Sequence, residues 1–260
     1  MIRALFRRIH LDYFLKDRIE SYDELIGIAL QKGFSILSHS QFYELVKNNA
    51  WGNKKILMIR QDVDSDPLYC LKWLEIEKKY GIHTSYYFRK ETIDVHVMKA
   101  IMEYGSDCGY HYEELATFAK KHKIKDQEKI KASFGQIRSE FKKNLAEIEH
   151  SLGSKLRFAS SHGDFANRKL NIPNHAFIDH EFLAENGLQF EAYDDVFVKN
   201  YSINIMDSGG PRFYCGEISQ LEALDRFPIV HLLMHPKNWR SNIYWNTKQN
   251  LKRLVEGLMF

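Results

Sequence analysis

The sequence predicts an α/β fold on a mainly parallel sheet, and three observations predict it. Short apolar segments alternate with helical ones along the whole chain, glycines stand where helical segments stop, and no Pro- or Ser-rich linker or fixed-period repeat intervenes. A barrel and an open doubly wound sheet both fit this alternation, and periodicity does not separate them.

Taken in order, Ser21 and Glu24 have the spacing of a capping box for an amphipathic helix that Gly33 ends. Phe34-Ser35-Ile36-Leu37 then reads as extended. Ile56 to Ile59 is the next apolar run, followed by a polar cluster and a helix from about Pro67 to Tyr80 that Gly81 closes. His83 to Phe88 is rich in strand formers. A helix near Val95 to Tyr104 and Gly105 lead into a short strand through Cys108-Gly109-Tyr110-His111. The longest helical signal runs from about Asp126 to Leu152, with Ile130, Phe134, Ile137, Phe141, Leu145 and Ile148 at helical spacing. Gly153 stops it before Leu156-Arg157-Phe158-Ala159. Tyr201 to Met206, a helix near Glu217 to Asp225, the strand Ile229 to Met234 and a terminal helix over about Trp245 to Leu258 complete the series.

Composition narrows the function classes. An apolar share of 44% with 27% charged residues is that of a globular protein with a real core. A net charge of +3 is too small to argue for nucleic acid. Cys70, Cys108 and Cys215 are odd in number, widely spaced and without a C-x-x-C pair, so they read as reduced thiols rather than a disulfide framework or a thiolate zinc site. Met1 to Asp17 carries Arg3, Arg7, Arg8 and Lys16 among apolar residues, so neither a transmembrane segment nor a signal peptide is expected there. It is expected to dock as a helix on the outside of the fold, with weak peripheral contact to anionic lipid as the alternative. With no targeting signal read in the sequence, a cytoplasmic location is the expectation.

The chemistry gathers at the downstream ends of the predicted strands, where parallel β/α folds place their sites. Arg60-Gln61-Asp62-Val63-Asp64 offers two carboxylates, one able to ligate a metal while the other takes a proton. Alone, this is equally a solvated turn with Asp66 capping the next helix. Gly109-Tyr110-His111 ends a second strand, Ser160-Ser161-His162-Gly163-Asp164 a third, and His231-Leu232-Leu233-Met234-His235 a fourth. On that last strand His231 and Leu233 share one face and Leu232 and Met234 the other. Four strand ends carrying Asp/Asp, His, His and His form a constellation that no single member would argue for.

These residues resemble a family. The order Asp62-x-Asp64, Glu77 and Gly81 before Thr84-Ser85-Tyr86-Tyr87-Phe88, then Gly109-Tyr110-His111, is similar to the polysaccharide deacetylases, carbohydrate esterase family 4 or NodB-homology proteins. The likeness runs from about Lys55 to Trp239, and the branch it looks most like carries an R-x-D-V-D signature and is met with surface-polysaccharide genes. The resemblance implies a distorted β/α barrel of about seven strands, a single structural domain. Residues 51–260 would form the barrel, with residues 1–50 as a helical and strand segment packed on it. It further implies one divalent metal ion, zinc first, and removal of an N- or O-linked acetyl group from a sugar, so that the partner is a small-molecule or oligosaccharide substrate. By position, Asp62 matches the catalytic base, Asp64 the metal carboxylate, His111 the first histidine of H-x-x-x-H, and His235 the late general acid. Asp207, in Met206-Asp207-Ser208-Gly209-Gly210, falls near the family's fourth motif, where an Asp orients the catalytic groups.

The sequence also departs from the family. Leu115 stands where the second metal histidine belongs, and Ala159-Ser160-Ser161-His162-Gly163 replaces R-x-P-Y-G. The hypothesis that repairs the site puts His162 beside Asp64 and His111 as third ligand, with Glu114 in reserve and Arg60 replacing the lost arginine beside Asp62. Arg60, Glu114, Asp164, Asn167, His175 and Trp239 are the candidate substrate-binding residues. The segment with Asn174, His175, Asp179 and His180 either lines the cleft or is a plain surface loop. Trp239, Arg240, Tyr244 and Trp245 either stack on a sugar or pack the terminal helix. Two rivals share the residues: a hydrolase of a non-sugar amide on the same fold, and a non-catalytic glycan- or partner-binding barrel that has lost its metal.

Overall fold

Nine residues, Lys55–Val63, form β2, the strand around which the sheet is arranged. In the computed structural model, which describes residues 2–207, 214–215 and 218–260, eight strands form one parallel sheet. The others are β1 (Phe34–Leu37), β3 (Ser85–Phe88), β4 (Asp107–Tyr112), β5 (Phe158–Ser161), β6 (Phe190–Glu191), β7 (Ile203–Met206) and β8 (Ile229–Met234). Seven follow the path β6-β5-β4-β3-β2-β8-β7. One edge of β2 is shared: β1 pairs with Lys55 to Met58 and β3 with Arg60 to Val63, while β8 takes the other edge. The path curls into a half-barrel, since Phe190 of β6 packs in one cluster with Ile56 and Met58 of β2. The distorted barrel in a single α/β domain is therefore present.

The helices are α1 (Ile2–Tyr13), α2 (Ile19–Gln31), α3 (His39–Lys47), α4 (Cys70–Tyr80), α5 (Val95–Tyr104), α6 (Glu114–His122), α7 (Gln127–Ala132), α8 (Phe134–Leu152), α9 (Phe165–Leu170), α10 (His180–Glu185), α11 (Asp195–Val198), α12 (Gln220–Arg226) and α13 (Ile243–Met259). None of the described helices is long and apolar enough to cross a membrane. α2 begins at Ile19 with Ser21 inside its first turn and no side-chain cap, so the expected box at Ser21 and Glu24 does not form. Boxes do form at Ser38 with Gln41 and at Asp164 with Asn167. The long signal from Asp126 breaks at Ser133, which ends α7 and starts α8. Glu217 and Ser208 to Gly210 lie outside the described residues.

Alternation along β2 divides the core in two. Leu57, Ile59 and Val63 face outward to the helices, in a cluster with Tyr86, Phe88, Tyr110 and Tyr112. Ile56 and Met58 face the barrel interior, with Phe42, Tyr87, Phe158, Phe190 and Phe197. Part of the expected N-terminal segment thus belongs to the barrel, because β1 enters the sheet and α3 supplies Phe42 as well as His39, which stacks on His231 at 5.3 Å. α1 docks on the loop before α13, where Ser241 Oγ donates to Leu11 O at 2.9 Å and accepts from Leu15 N at 2.6 Å.

Candidate active site

Arg60 and Asp62 continue the inward face of β2 above Met58. The strand then tightens: Asp64 N donates to Asp62 O at 2.9 Å, and Gln249 of α13 donates to the Asp64 carbonyl. Both carboxylates are buried at the barrel mouth. Arg60, 1% exposed, donates from Nε and a terminal nitrogen to the two Asp62 oxygens, each at 2.8 Å. Its guanidinium lies 4.7 Å from the Tyr193 ring and 5.6 Å from that of Tyr87. Burial pushes the Asp62 carboxyl up, but Arg60 and then His111 outweigh it and hold the group below its ordinary range.

His111 reaches the same point from β4. Two residues before it, a Cβ on Gly109 would meet Phe158 O at 2.6 Å and the Tyr87 ring at 2.8 Å, so only glycine lets β4 pass that ring. His111 Nδ1 is 3.0 Å from Ser160 O, a carbonyl that can only accept; Nδ1 therefore carries the proton and Nε2 offers a lone pair. That Nε2 is 3.3 Å from Asp62 Oδ2 and 3.5 Å from Asp64 Oδ1. His162 arrives after β5 with its N–H on Tyr112 O and its Nδ1 3.1 Å from Glu113 Oε2, leaving Nε2 3.5 Å from Asp64 Oδ1. Arg89 holds Glu113 from one terminal nitrogen at 2.7 Å to each oxygen.

Asp64, His111 and His162 present ligand atoms within 4.8 Å of one another. Asp64 Oδ1 and His111 Nε2 are buried without any hydrogen-bond partner. Such orphaned atoms normally cost stability, and here they converge. A carboxylate oxygen with two imidazole Nε2 atoms, each ring fixed through Nδ1 to a carbonyl or carboxylate, is the donor set of an open divalent-metal site. The residues fit the group. Burial pulls the His111 imidazole down to about 4. Burial acts likewise on His162, but Asp64 and Glu113 outweigh it and lift that ring to about 9.

On the other side stands His235, following β8. Asp207, at the end of β7, accepts from His235 N at 2.8 Å, Asn238 Nδ2 at 2.9 Å and Trp239 Nε1 at 2.7 Å, and its Oδ1 lies 2.9 Å from His235 Nδ1. Thus fixed, Nδ1 carries a proton and Nε2 is left for the cleft. Burial would depress the His235 imidazole, yet Asp207 dominates and raises it. Asp62, Asp64, His111, His162 and His235 line one cavity of about 680 Å³, with Tyr193 and Lys237 among its other walls.

The remaining candidates fall elsewhere. Arg60 lies beneath Asp62 as its charge partner and touches no open surface. Glu114 is buried against Tyr110 and Asn144, so it is no reserve ligand. Asp164 caps α9 and pairs with Lys120; Asn167 closes the same cap and bonds Ile172 O. His175 stacks on Tyr193 at 5.4 Å behind the cleft wall, and buried Trp239 orients Asp207. Asp66 has a left-handed backbone, pairs with Arg240 and caps nothing. Sequence reasoning passed over Glu113, although strand alternation puts residue 113 on His111's side and residue 114 on the other. Lys237 and Tyr193 carried no comparable signal.

No protein-family model and no curated protein matches the chain. Among solved structures it is similar to the Streptococcus pyogenes deacetylase PplD in complex with acetate, at 15% identity over 60% of this chain and 69% of that one, with a TM-score of 0.42. It is similar at 16% identity and a TM-score of 0.43 to BA3943 of Bacillus anthracis, a CE4 family pseudoenzyme, over 79% of this chain and 61% of that one. A BA3943 mutant with restored enzymatic activity gives 16% identity, 78% and 64% coverage and a TM-score of 0.43. The chain thus spans under two thirds of the BA3943 structures it matches.

Proposed function

We propose that the protein is a metal-dependent hydrolase that removes an acetyl group, N- or O-linked, from a sugar of a surface polysaccharide or its precursor. The observation that carries this reading is the convergence of Asp64 Oδ1, His111 Nε2 and His162 Nε2, two of them buried without partners, between an aspartate–arginine pair and a histidine–aspartate pair. Asp64, His111 and His162 would hold one divalent cation, zinc by its preference for imidazole and carboxylate. Bound there, it supplies Lewis acidity toward a water and the acetyl carbonyl.

The rest falls to the chain. Asp62, kept ionised by Arg60, accepts the proton of the attacking water, and the lowered pKa suits a group that must be deprotonated before each turnover. His235, held protonated by Asp207, donates from Nε2 to the departing nitrogen or oxygen as its bond to the acetyl carbon breaks. Acetate and the free amine or alcohol leave. Glu113 and Ser160 O engage the two Nδ1 atoms, so both rings would turn Nε2 to the metal. Leu115 then requires no compensation, since His162 fills the place of the absent second histidine.

The test pairs two variants with metal analysis and acetate release. Asp64→Ala is expected to lose the metal and all turnover, and Asp62→Asn to keep the metal while turnover drops about 10²–10⁴-fold. Wild-type protein that retains no divalent metal and releases no acetate would leave only a binding barrel.

A further inference from the structure

The cations around the cleft divide into two groups. Arg60, Arg89, Lys120, Arg240 and Lys252 each sit on a carboxylate: Asp62, Glu113, Asp164, Asp66 and Glu91. Arg168 and Arg253 do not. Neither side chain has a carboxylate or other polar partner among the described residues, and both line the cavity that holds Asp62, Asp64 and His111. Lys237 lines it as well, 3.6 Å from Asp64 Oδ2.

The fold builds this convergence. α9 follows directly on His162 and Gly163, and its reciprocal cap between Asp164 and Asn167 fixes where Arg168 emerges. α13 is tied to the site by Gln249, whose side chain holds the Asp64 carbonyl. Arg253 is one turn further along and so shares the helix face of Gln249. The acid on the same rim is Asp12, which accepts from Asn250 at 3.0 Å. Two unpaired arginines from two helices therefore stand at the mouth, beside Lys237 on Asp64 and with Asp12 on the same rim, and a cleft with low-dielectric walls focuses such a field.

We propose that Arg168, Arg253 and Lys237 form a phosphate subsite, so that the acetylated sugar enters bearing a phosphate, phosphodiester or diphosphate. This rests on the hydrolase reading and narrows its substrate. Two guanidinium forks and an ammonium match a group with several anionic oxygens, which a single carboxylate would not fill. A neutral glycan would leave both arginines unused. Nucleotide-linked and lipid-linked sugars share this chemistry.

Calorimetric titration of the zinc-loaded protein tests it, with N-acetylglucosamine, N-acetylglucosamine 1-phosphate and UDP-N-acetylglucosamine as probes at low and high salt. The phosphorylated probes are expected to bind tighter than the neutral sugar, by about tenfold for each arginine engaged. Salt should shrink that margin, Arg168→Ala with Arg253→Ala should abolish it, and the paired lysine substitutions should restore part. Equal affinity for UDP-N-acetylglucosamine and the monophosphate supports a lipid-linked source, and tighter UDP-N-acetylglucosamine a nucleotide-linked one. Equal binding of charged and neutral probes overturns the subsite. A preference that survives the double alanine variant also overturns it, because the metal would then be binding the phosphate. No acetate release from any probe, with the arginine-dependent margin intact, would sink the hydrolase reading and leave the subsite standing.

Discussion

Two pairs of histidines stand in this half-barrel, one in its interior and one at its mouth, and the structure treats them oppositely. In the interior, His39 Nδ1 meets Tyr87 Oη at 2.8 Å, His39 Nε2 meets His231 Nε2 at 3.2 Å, and His231 Nδ1 meets Asn204 Oδ1 at 2.8 Å. Every ring nitrogen is partnered. At the mouth, His111 and His162 have one nitrogen each engaged by the protein and the other aimed at Asp64. His111 is as buried as the interior pair, so burial does not mark function here. What separates the pairs is what the second nitrogen faces: another neutral ring in the interior, the Asp64 carboxylate at the mouth.

The sharpest way to break this contrast is through Arg60, which lies between the two regions. Among the described residues Asp62 is the one carboxylate in ion-pair contact with it, and Arg60 is 1% exposed. Asp62→Ala is expected to cost about 3–5 kcal/mol of stability by stranding that charge, separately from its effect on turnover. Denaturant unfolding reads the loss, and adding Arg60→Met should recover most of it. An Asp62→Ala protein as stable as the parent would mean that the pair does not organise the mouth.

A smaller effect sharpens the metal reading. Glu113 touches no ligand atom that faces Asp64; it holds His162 through Nδ1 and is itself held by Arg89. Glu113→Gln is expected to weaken divalent-metal affinity about 10–100-fold while the fold stays intact, measured by competition with a chelator. Unchanged affinity would assign Glu113 to packing alone.

How much of this was legible in the sequence differs by residue. Asp62, Asp64, His111 and His162 were legible because strand ends and alternation are local, and alternation would also have picked Glu113 over Glu114. Asp207 and His235 were visible as motif residues, but not their mutual bond. Trp239, Asn167 and Glu114 have the chemistry of ligand-binding residues, yet each is spent on a partner that packing supplies. Trp239 reaches back to Asp207, and Glu114 is met by Asn144 from α8. The plug that α3 forms in the barrel interior with His39 and Phe42 was hidden altogether: nothing in His39 to Lys47 announces that one imidazole enters the barrel. Arg168 and Arg253 share one cavity only because α13 folds back on the loop after β2.

The mildest prediction concerns that plug. Whichever end starts the chain Tyr87–His39–His231–Asn204, each of its hydrogen bonds uses one proton, so both imidazoles are neutral. Burial, then the charge of Arg60, takes His231 down to about 3; burial, then His231 and Arg60, takes His39 well below its usual value. The unfolded chain has ordinary histidines near 6.5, so below that pH it binds protons that the folded protein refuses. Stability from these groups is full above about pH 6.5 and is lost as pH falls toward the folded values, at up to about 1.4 kcal/mol per pH unit for each ring. Urea midpoints between pH 7 and pH 4 measure the slope, and His231→Phe should flatten it by one ring's share. A slope indifferent to His231 would mean that the mouth histidines, not the interior ones, carry the acid sensitivity, and the contrast between the two pairs would have to be redrawn.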